Sequence, residues 1–257
     1  MKDEVSITLI ANAGVLVKYR GIRFLIDGLY YDNEYGFSNI PEQLLKKIIS
    51  GKDEFKDIDY LIFTHNHQDH FSAEYTMEYL KNNDIACIFM PSDKSNAIIE
   101  LQNYLKDNYI AYRFLKIPIG DSYCYRVNGY ISITIFNTCH MGEQYRSVEN
   151  YCFLLSLGTK NILFTADADY TLSYFKGPLS GVDVDTVFIN PLFFNNKAGR
   201  NVIEQVIRPN KVVIYHIPFP EDEKLRLHKI VERDMIRYKS DFYDVLALWN
   251  AEQNILI

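Results

Sequence analysis

Apolar residues fall in short blocks separated by glycine and polar clusters along most of the chain. Three such runs open it: Ser6 to Ile10, Val15 to Tyr19 and Ile22 to Ile26, with Gly14 and Gly21 between them. That spacing predicts a β-meander, because glycine marks the points where a strand reverses. A loop rich in Tyr, Asn and Gly covers Gly28 to Ile40. Pro41 then suits the first turn of a helix through Ile49, with Gly51 as its stop. Asp59 to Phe63 shows little alternation, as expected of a strand covered on both faces. A helix from about Ala73 to Lys81, a strand Ile85 to Met90 and a helix Asp93 to Lys106 with Asp93 as N-cap follow.

The middle of the chain is β-rich. Tyr123 to Val127 and Tyr130 to Phe136 flank Asn128-Gly129, a pair suited to a type I′ turn because both residues tolerate positive φ. Tyr151 to Leu157 and Asn161 to Thr165 form a second hairpin across Gly158-Thr159-Lys160. Beyond Asp169 the pattern alternates. Strand Thr186 to Asn190, helix Arg200 to Ile207 and strand Lys211 to Tyr215 lead to an amphipathic helix from Glu221 to about Tyr238. Strands Val245 to Trp249 and Asn254 to Ile257 close the chain. No linker or obvious sequence repeat interrupts it. The expectation is two stacked sheets flanked by helices, as a single domain over residues 1–257.

Composition narrows the function classes. With 257 residues, 48 % of them hydrophobic, the chain can bury one sizeable core. Its net charge of −6 offers no global attraction for phosphate backbones, so nucleic acid is an unlikely partner. No basic stretch leads into an apolar run at the amino terminus, and no run reaches the roughly 18 residues that span a membrane. Cys87, Cys124, Cys139 and Cys152 form no CxxC pair and read as buried free thiols of a reducing, cytoplasmic compartment.

The chemistry concentrates in Thr64-His65-Asn66-His67-Gln68-Asp69-His70. Three of the chain's six histidines lie here, directly after an apolar strand and before a helix. A lone histidine on such a strand is usually a satisfied core residue. Three imidazoles and a carboxylate crowded together repel when protonated and need partners when neutral, and a metal ion resolves both problems. Further ligands must come from elsewhere. His140, Asp167 and His216 each follow a predicted strand, so they can converge on one rim. His228 is left over on a helix, where a surface role is expected.

HxHxDH followed by single His, Asp and His residues at strand ends resembles the metallo-β-lactamase superfamily, and the resemblance runs along nearly the whole chain. Phe24-Leu25-Ile26-Asp27-Gly28 is similar to its early Asp motif. Asn161-Ile162-Leu163-Phe164-Thr165-Ala166-Asp167 is similar to its bridging-Asp motif, with Ala166 in place of the usual glycine. The resemblance implies an α/β fold, the four-layer αββα sandwich, with two divalent metal ions, zinc or alternatively manganese or iron. One would be held by His65, His67 and His140, the second by Asp69, His70 and His216, with Asp167 bridging them. Asp27 would orient ligands from behind, and Asp59 would either do the same or serve as an ordinary loop residue.

A carboxylate at 167, where the commonest β-lactamases carry Cys, disfavours β-lactam cleavage. It resembles glyoxalase II, the tRNA 3′-processing endonuclease, phosphodiesterases and lactonases. The opening Ile7-Thr8-Leu9-Ile10-Ala11-Asn12-Ala13-Gly14 most resembles the small branch containing L-ascorbate-6-phosphate lactonase. The expected reaction is attack by metal-activated water on a small lactone, ester or phosphoester, with Asp69 or Asp167 moving the proton. Asn12, Tyr30, Tyr31, Arg146, Asn195 and Lys197 lie on loops expected at the same rim, where a cation would take an anionic substrate group. The rivals are a tRNA-processing type of nuclease and a non-catalytic metal-binding regulator. The sequence specifies no oligomeric state.

Overall fold

The meander read from Gly14 and Gly21 is present in the computed structural model, which describes residues 4–31, 35–239, 241 and 244–257. These fall into two units, one of residues 4–116 and 250–256, the other of residues 117–249 and 257.

In the first unit β1 (Ser6–Ala11), β2 (Gly14–Tyr19) and β3 (Ile22–Ile26) pair antiparallel. Parallel strands β4 (Tyr60–Ile62), β5 (Cys87–Pro91) and β6 (Tyr112–Leu115) extend the sheet from β3. At the other edge β14 (Asn254–Leu256) pairs with β1, completing seven strands. β4 and β5 are buried along their whole length, matching their unbroken apolar runs. Gly14 is required by close approach: a Cβ there would stand 2.8 Å from the Asp27 carbonyl oxygen.

The helices are α1 (Glu42–Ile49), α2 (Ala73–Leu80) and α3 (Asn96–Asp107). α3 begins at Asn96 rather than Asp93. Ser95 is its cap, accepting from the Ile98 N–H, while the Asp93 carboxylate takes hydrogen bonds from Asn66 and the Ser95 N–H.

The second unit repeats that pattern. β7 (Ser122–Arg126), β8 (Ile131–Cys139), β9 (Glu149–Leu157) and β10 (Lys160–Phe164) are antiparallel. Parallel strands β11 (Thr186–Ile189), β12 (Lys211–Ile214) and β13 (Val245–Ala247) follow from β10. The β7–β8 connection is not a two-residue type I′ turn. Neither Asn128 nor Gly129 has positive φ, and the Asn128 side chain accepts from the Tyr130 N–H across a longer loop.

Two further expectations change here. Asn195 and Lys197, expected on a loop, lie in α5 (Pro191–Asn195) and α6 (Lys197–Val202), after α4 (Leu172–Lys176), and α6 continues into a π turn over Ile203–Ile207. α7 (Leu227–Arg237) starts at Leu227 rather than Glu221. Arg226 takes a left-handed φ of 59°, and the Glu223 carboxylate accepts the first N–H groups, those of Leu227 and His228.

All four thiols are free, but only Cys87 and Cys152 are buried; Cys124 is exposed. Burial pushes the Cys87 thiol up to about 11 and raises Cys152 as well. Among the described residues no helix is long and apolar enough to cross a membrane.

Candidate metal centre

Each sheet changes from antiparallel to parallel pairing once, at β3/β4 and at β10/β11. The loops leaving the carboxyl ends of strands at such a switch are where α/β sheets place ligands. Of the candidate ligands, His65 to His70 follow β4 and Asp167 follows β10, at this position in their respective units.

In the first unit His65 leaves β4 from a fully buried Thr64. Asp27, just past β3, is also fully buried and accepts three hydrogen bonds. They come from the Thr64 N–H at 2.9 Å, the Thr64 hydroxyl at 2.6 Å and His70 Nδ1 at 2.8 Å. A buried carboxylate needs such donors. Its demands fix the proton positions. His70 carries its proton on Nδ1, leaving the Nε2 lone pair available, 3.6 Å from Asp69 Oδ2. Thr64 has given its hydrogen to Asp27 and so can only accept from His65 Nδ1, 3.1 Å away. His65 Nε2 then presents a lone pair 3.2 Å from His67 Nδ1. Ligand atoms on neighbouring corners of a tetrahedral zinc site lie roughly 3.3 Å apart, given bonds of about 2.0–2.1 Å, so these spacings fit an ion. Tyr35 packs its ring against His67 at 5.2 Å.

The second unit contributes three ligand candidates from three loops. His140 follows β8, Asp167 follows β10 and His216 follows β12. The Asp167 carboxylate divides its oxygens: Oδ2 faces His140 Nε2 at 3.3 Å and Oδ1 faces His216 Nε2 at 3.6 Å. His140 Nδ1 donates to the Met141 carbonyl at 2.6 Å, which puts the ring proton on Nδ1 and the lone pair on Nε2. Asn190 and Asn150, neither among the expected site residues, build the turn that carries Asp167. Asn190 Nδ2 donates to Asp167 Oδ1 at 3.2 Å and to the Ala166 carbonyl at 2.9 Å, while its Oδ1 caps α5 through the Phe193 N–H. Asn150 Oδ1 accepts from the Asp167 N–H, and its amide donates to Thr138 and the Thr165 carbonyl. Asn190-Pro191 after an apolar strand is a helix-start signal and was the available clue. Asp27, Ala166 and His216 all take positive φ, at 46°, 47° and 60°. Asp and His tolerate this region better than most residues, whereas for Ala166 it persists because the surroundings over-determine it.

Other expected site residues have different partners. Asp59 stands at the start of β4, away from His65, and accepts from the Arg23 N–H; it fixes the β3–β4 register and orients no ligand. Asn12 and Tyr30 are buried and bonded to each other and to the Ser38 backbone, so they hold the loop after β3 and do not face a substrate. Asn195 donates to the buried Asp234. Arg146 pairs with Glu143 in an exposed contact, and Lys197 is exposed at the start of α6. Tyr31 is half exposed and lines a cavity of about 640 Å³ with Asn66, Gln68 and Tyr75.

No protein-family profile matches the sequence, and no curated protein matches it. Solved structures do. The diiron β-hydroxylase CmlA from Streptomyces venezuelae matches with a TM-score of 0.62 at 17 % identity, over 100 % of this chain and 54 % of that one. This chain therefore spans about half the length of CmlA. Igni18, a metallo hydrolase from the archaeon Ignicoccus hospitalis, matches at 0.59 and 12 % identity, over 99 % and 98 % of the two chains. An isothiocyanate hydrolase from Delia radicum gut bacteria matches at 0.64 and 16 % identity, over 97 % and 98 %. What these likenesses establish is architecture: this chain has the metallo-β-lactamase fold, the α/β class that its motifs resemble.

Proposed function

We propose that the protein is a metal-dependent hydrolase using two divalent ions, with the ligand set its sequence resemblance implies: His65, His67 and His140 for one, Asp69, His70 and His216 for the other, and Asp167 shared by both. The observation that carries this reading is the oxygen atom facing Nδ1 of three histidines. Asp27, Thr64 and the Met141 carbonyl draw the imidazole protons of His70, His65 and His140 to Nδ1, so each Nε2 offers a lone pair. A donor set of neutral imidazoles and carboxylates suits zinc, and also manganese or iron. When bound, such ions supply a nucleophile at neutral pH and polarise a substrate oxygen.

The chain's own part is to hold the donors and handle the proton. Asp167 turns one oxygen toward each of two histidines and is held by Asn190, so it would be the ligand shared by the two ions, and it or Asp69 would take the proton that the nucleophile gives up. A small lactone, ester or phosphoester is the proposed substrate class, since the opening strand pattern resembles the L-ascorbate-6-phosphate lactonase branch. Tyr31, half exposed, would meet the substrate from the first unit, and Arg146 and Lys197 are exposed cations for an anionic group. The net charge of −6 supports a small molecule over nucleic acid, and four free thiols support a reducing, cytoplasmic compartment. The test is to strip the protein with chelator, reload it with zinc, manganese or iron, and assay a lactone, an aryl ester and a bis-aryl phosphodiester. Two ions per chain and metal-dependent turnover are expected. Silence across the panel with every metal would favour a metal-binding regulator and overturn the hydrolase.

A further inference from the structure

His228, the histidine outside the ligand motif, is not a surface residue. Its ring stacks on Trp249 at 4.8 Å with planes 30° apart, and its side chain is only 18 % exposed. Its Nε2 lies 2.7 Å from the Pro218 carbonyl oxygen, so Nε2 carries the proton and donates it there. Pro218 is two residues beyond His216 in the segment leaving β12.

That segment needs holding. His216 sits at φ 60°, in a region His tolerates better than most residues but that still needs support from its neighbours. On its amino-terminal side the Tyr215 N–H is fastened to the Ile189 carbonyl of β11 at 3.0 Å. On the other side the His228–Pro218 bond is the matching clamp. The clamp is itself braced, because Trp249 fixes the imidazole plane and Glu223 holds the first turn of α7 through the Leu227 and His228 N–H groups. A fastening on each side leaves His216 little freedom to turn its Nε2 away from Asp167.

We propose that His228 is a positioning residue for the metal site of His216, acting through the Pro218 carbonyl. The inference rests on the two-ion reading above. Outer partners of this kind are typically worth roughly 10–100-fold in metal affinity. The probe is Co²⁺ titrated into the metal-free protein and followed by its visible absorption and by stoichiometry. The wild-type protein is expected to take up two ions. His228→Phe keeps a ring on Trp249 but loses the donor, and should weaken one of the two binding steps roughly 10–100-fold and change the absorption band of that ion. His228→Gln, which retains an N–H donor for Pro218, should restore both. If His228→Phe does not fold, His228→Asn, too short to reach Pro218, carries the same expectation. A donor-less variant that binds both ions with the wild-type spectrum overturns the positioning role alone. A wild-type protein that takes up no second ion overturns the two-ion reading instead.

Discussion

The two units share one strand topology and use it differently. In each, three antiparallel pairings lead into three parallel ones, so β3 corresponds to β10 and β4 to β11. Past β3 stands Asp27, fully buried and spent on Thr64 and His70. Past β10 stands Asp167, partly accessible and turned toward His140 and His216. Past β4 comes the dense run His65 to His70, and past β11 comes only Asn190, which supports Asp167. Ligand and support have exchanged places between equivalent loops. A carboxylate at the switch point can therefore either brace a site or belong to it, depending on which neighbours consume its oxygens.

Removing each carboxylate should separate those roles. The largest effect is expected from Asp167→Ala. It should lower metal-dependent hydrolysis at least about a thousandfold, or about 4 kcal/mol in the transition state, and release bound ions. Its urea stability in the metal-free state should change by no more than about 1 kcal/mol, since the side chain is partly accessible. Asp27→Ala should behave in the opposite sense. It leaves the Thr64 N–H, the Thr64 hydroxyl and His70 Nδ1 without their buried acceptor, and should cost about 3 kcal/mol in the same metal-free urea titration. Equal stability losses for the two variants would erase the distinction drawn here.

Asn190 tests the support side of the second unit. Asn190→Ala removes the donor to Asp167 and the cap of α5, and should weaken metal binding roughly 10–100-fold while costing about 1 kcal/mol of stability. Asn190→Asp keeps the cap acceptor but cannot donate to Asp167, so metal titration beside thermal melting splits the two contributions. Wild-type metal affinity in Asn190→Asp would show that the amide does not orient the carboxylate.

These roles differ in how legible they are from sequence. The histidines announce themselves because imidazole is scarce in this chain and crowds after one apolar strand. The single His and Asp residues follow because strand ends are readable from apolar runs. Supports are harder. Asn150 and Asn190 look like any turn-forming amide, and only the fold reveals which backbone groups they answer. The same ambiguity worked in reverse for Asn12 and Tyr30, polar residues in a loop that suggest a binding rim but bond to each other and to Ser38. Asp93 misled as a helix cap for a related reason: a carboxylate can serve one helix start or the back of the Asn66 loop, and composition does not say which.

The smallest expected effect concerns the turns themselves. Both switch-point loops pass through the left-handed region, but one residue out of step. At β3 the positive-φ residue is Asp27, which carries the carboxylate; at β10 it is Ala166, and the carboxylate follows on Asp167. That offset re-aims the acid. Asp is among the residues that tolerate this region, whereas Ala pays roughly 1–2 kcal/mol for it. Glycine would remove that strain and lose roughly 0.4–1 kcal/mol through the greater freedom of the unfolded chain. Ala166→Gly should therefore raise stability by up to about 1 kcal/mol in urea titration, with metal stoichiometry unchanged. A net loss of stability would mean that the Asn150 and Asn190 hydrogen bonds already relieve the turn, and that the two switch points differ in side chains but not in strain.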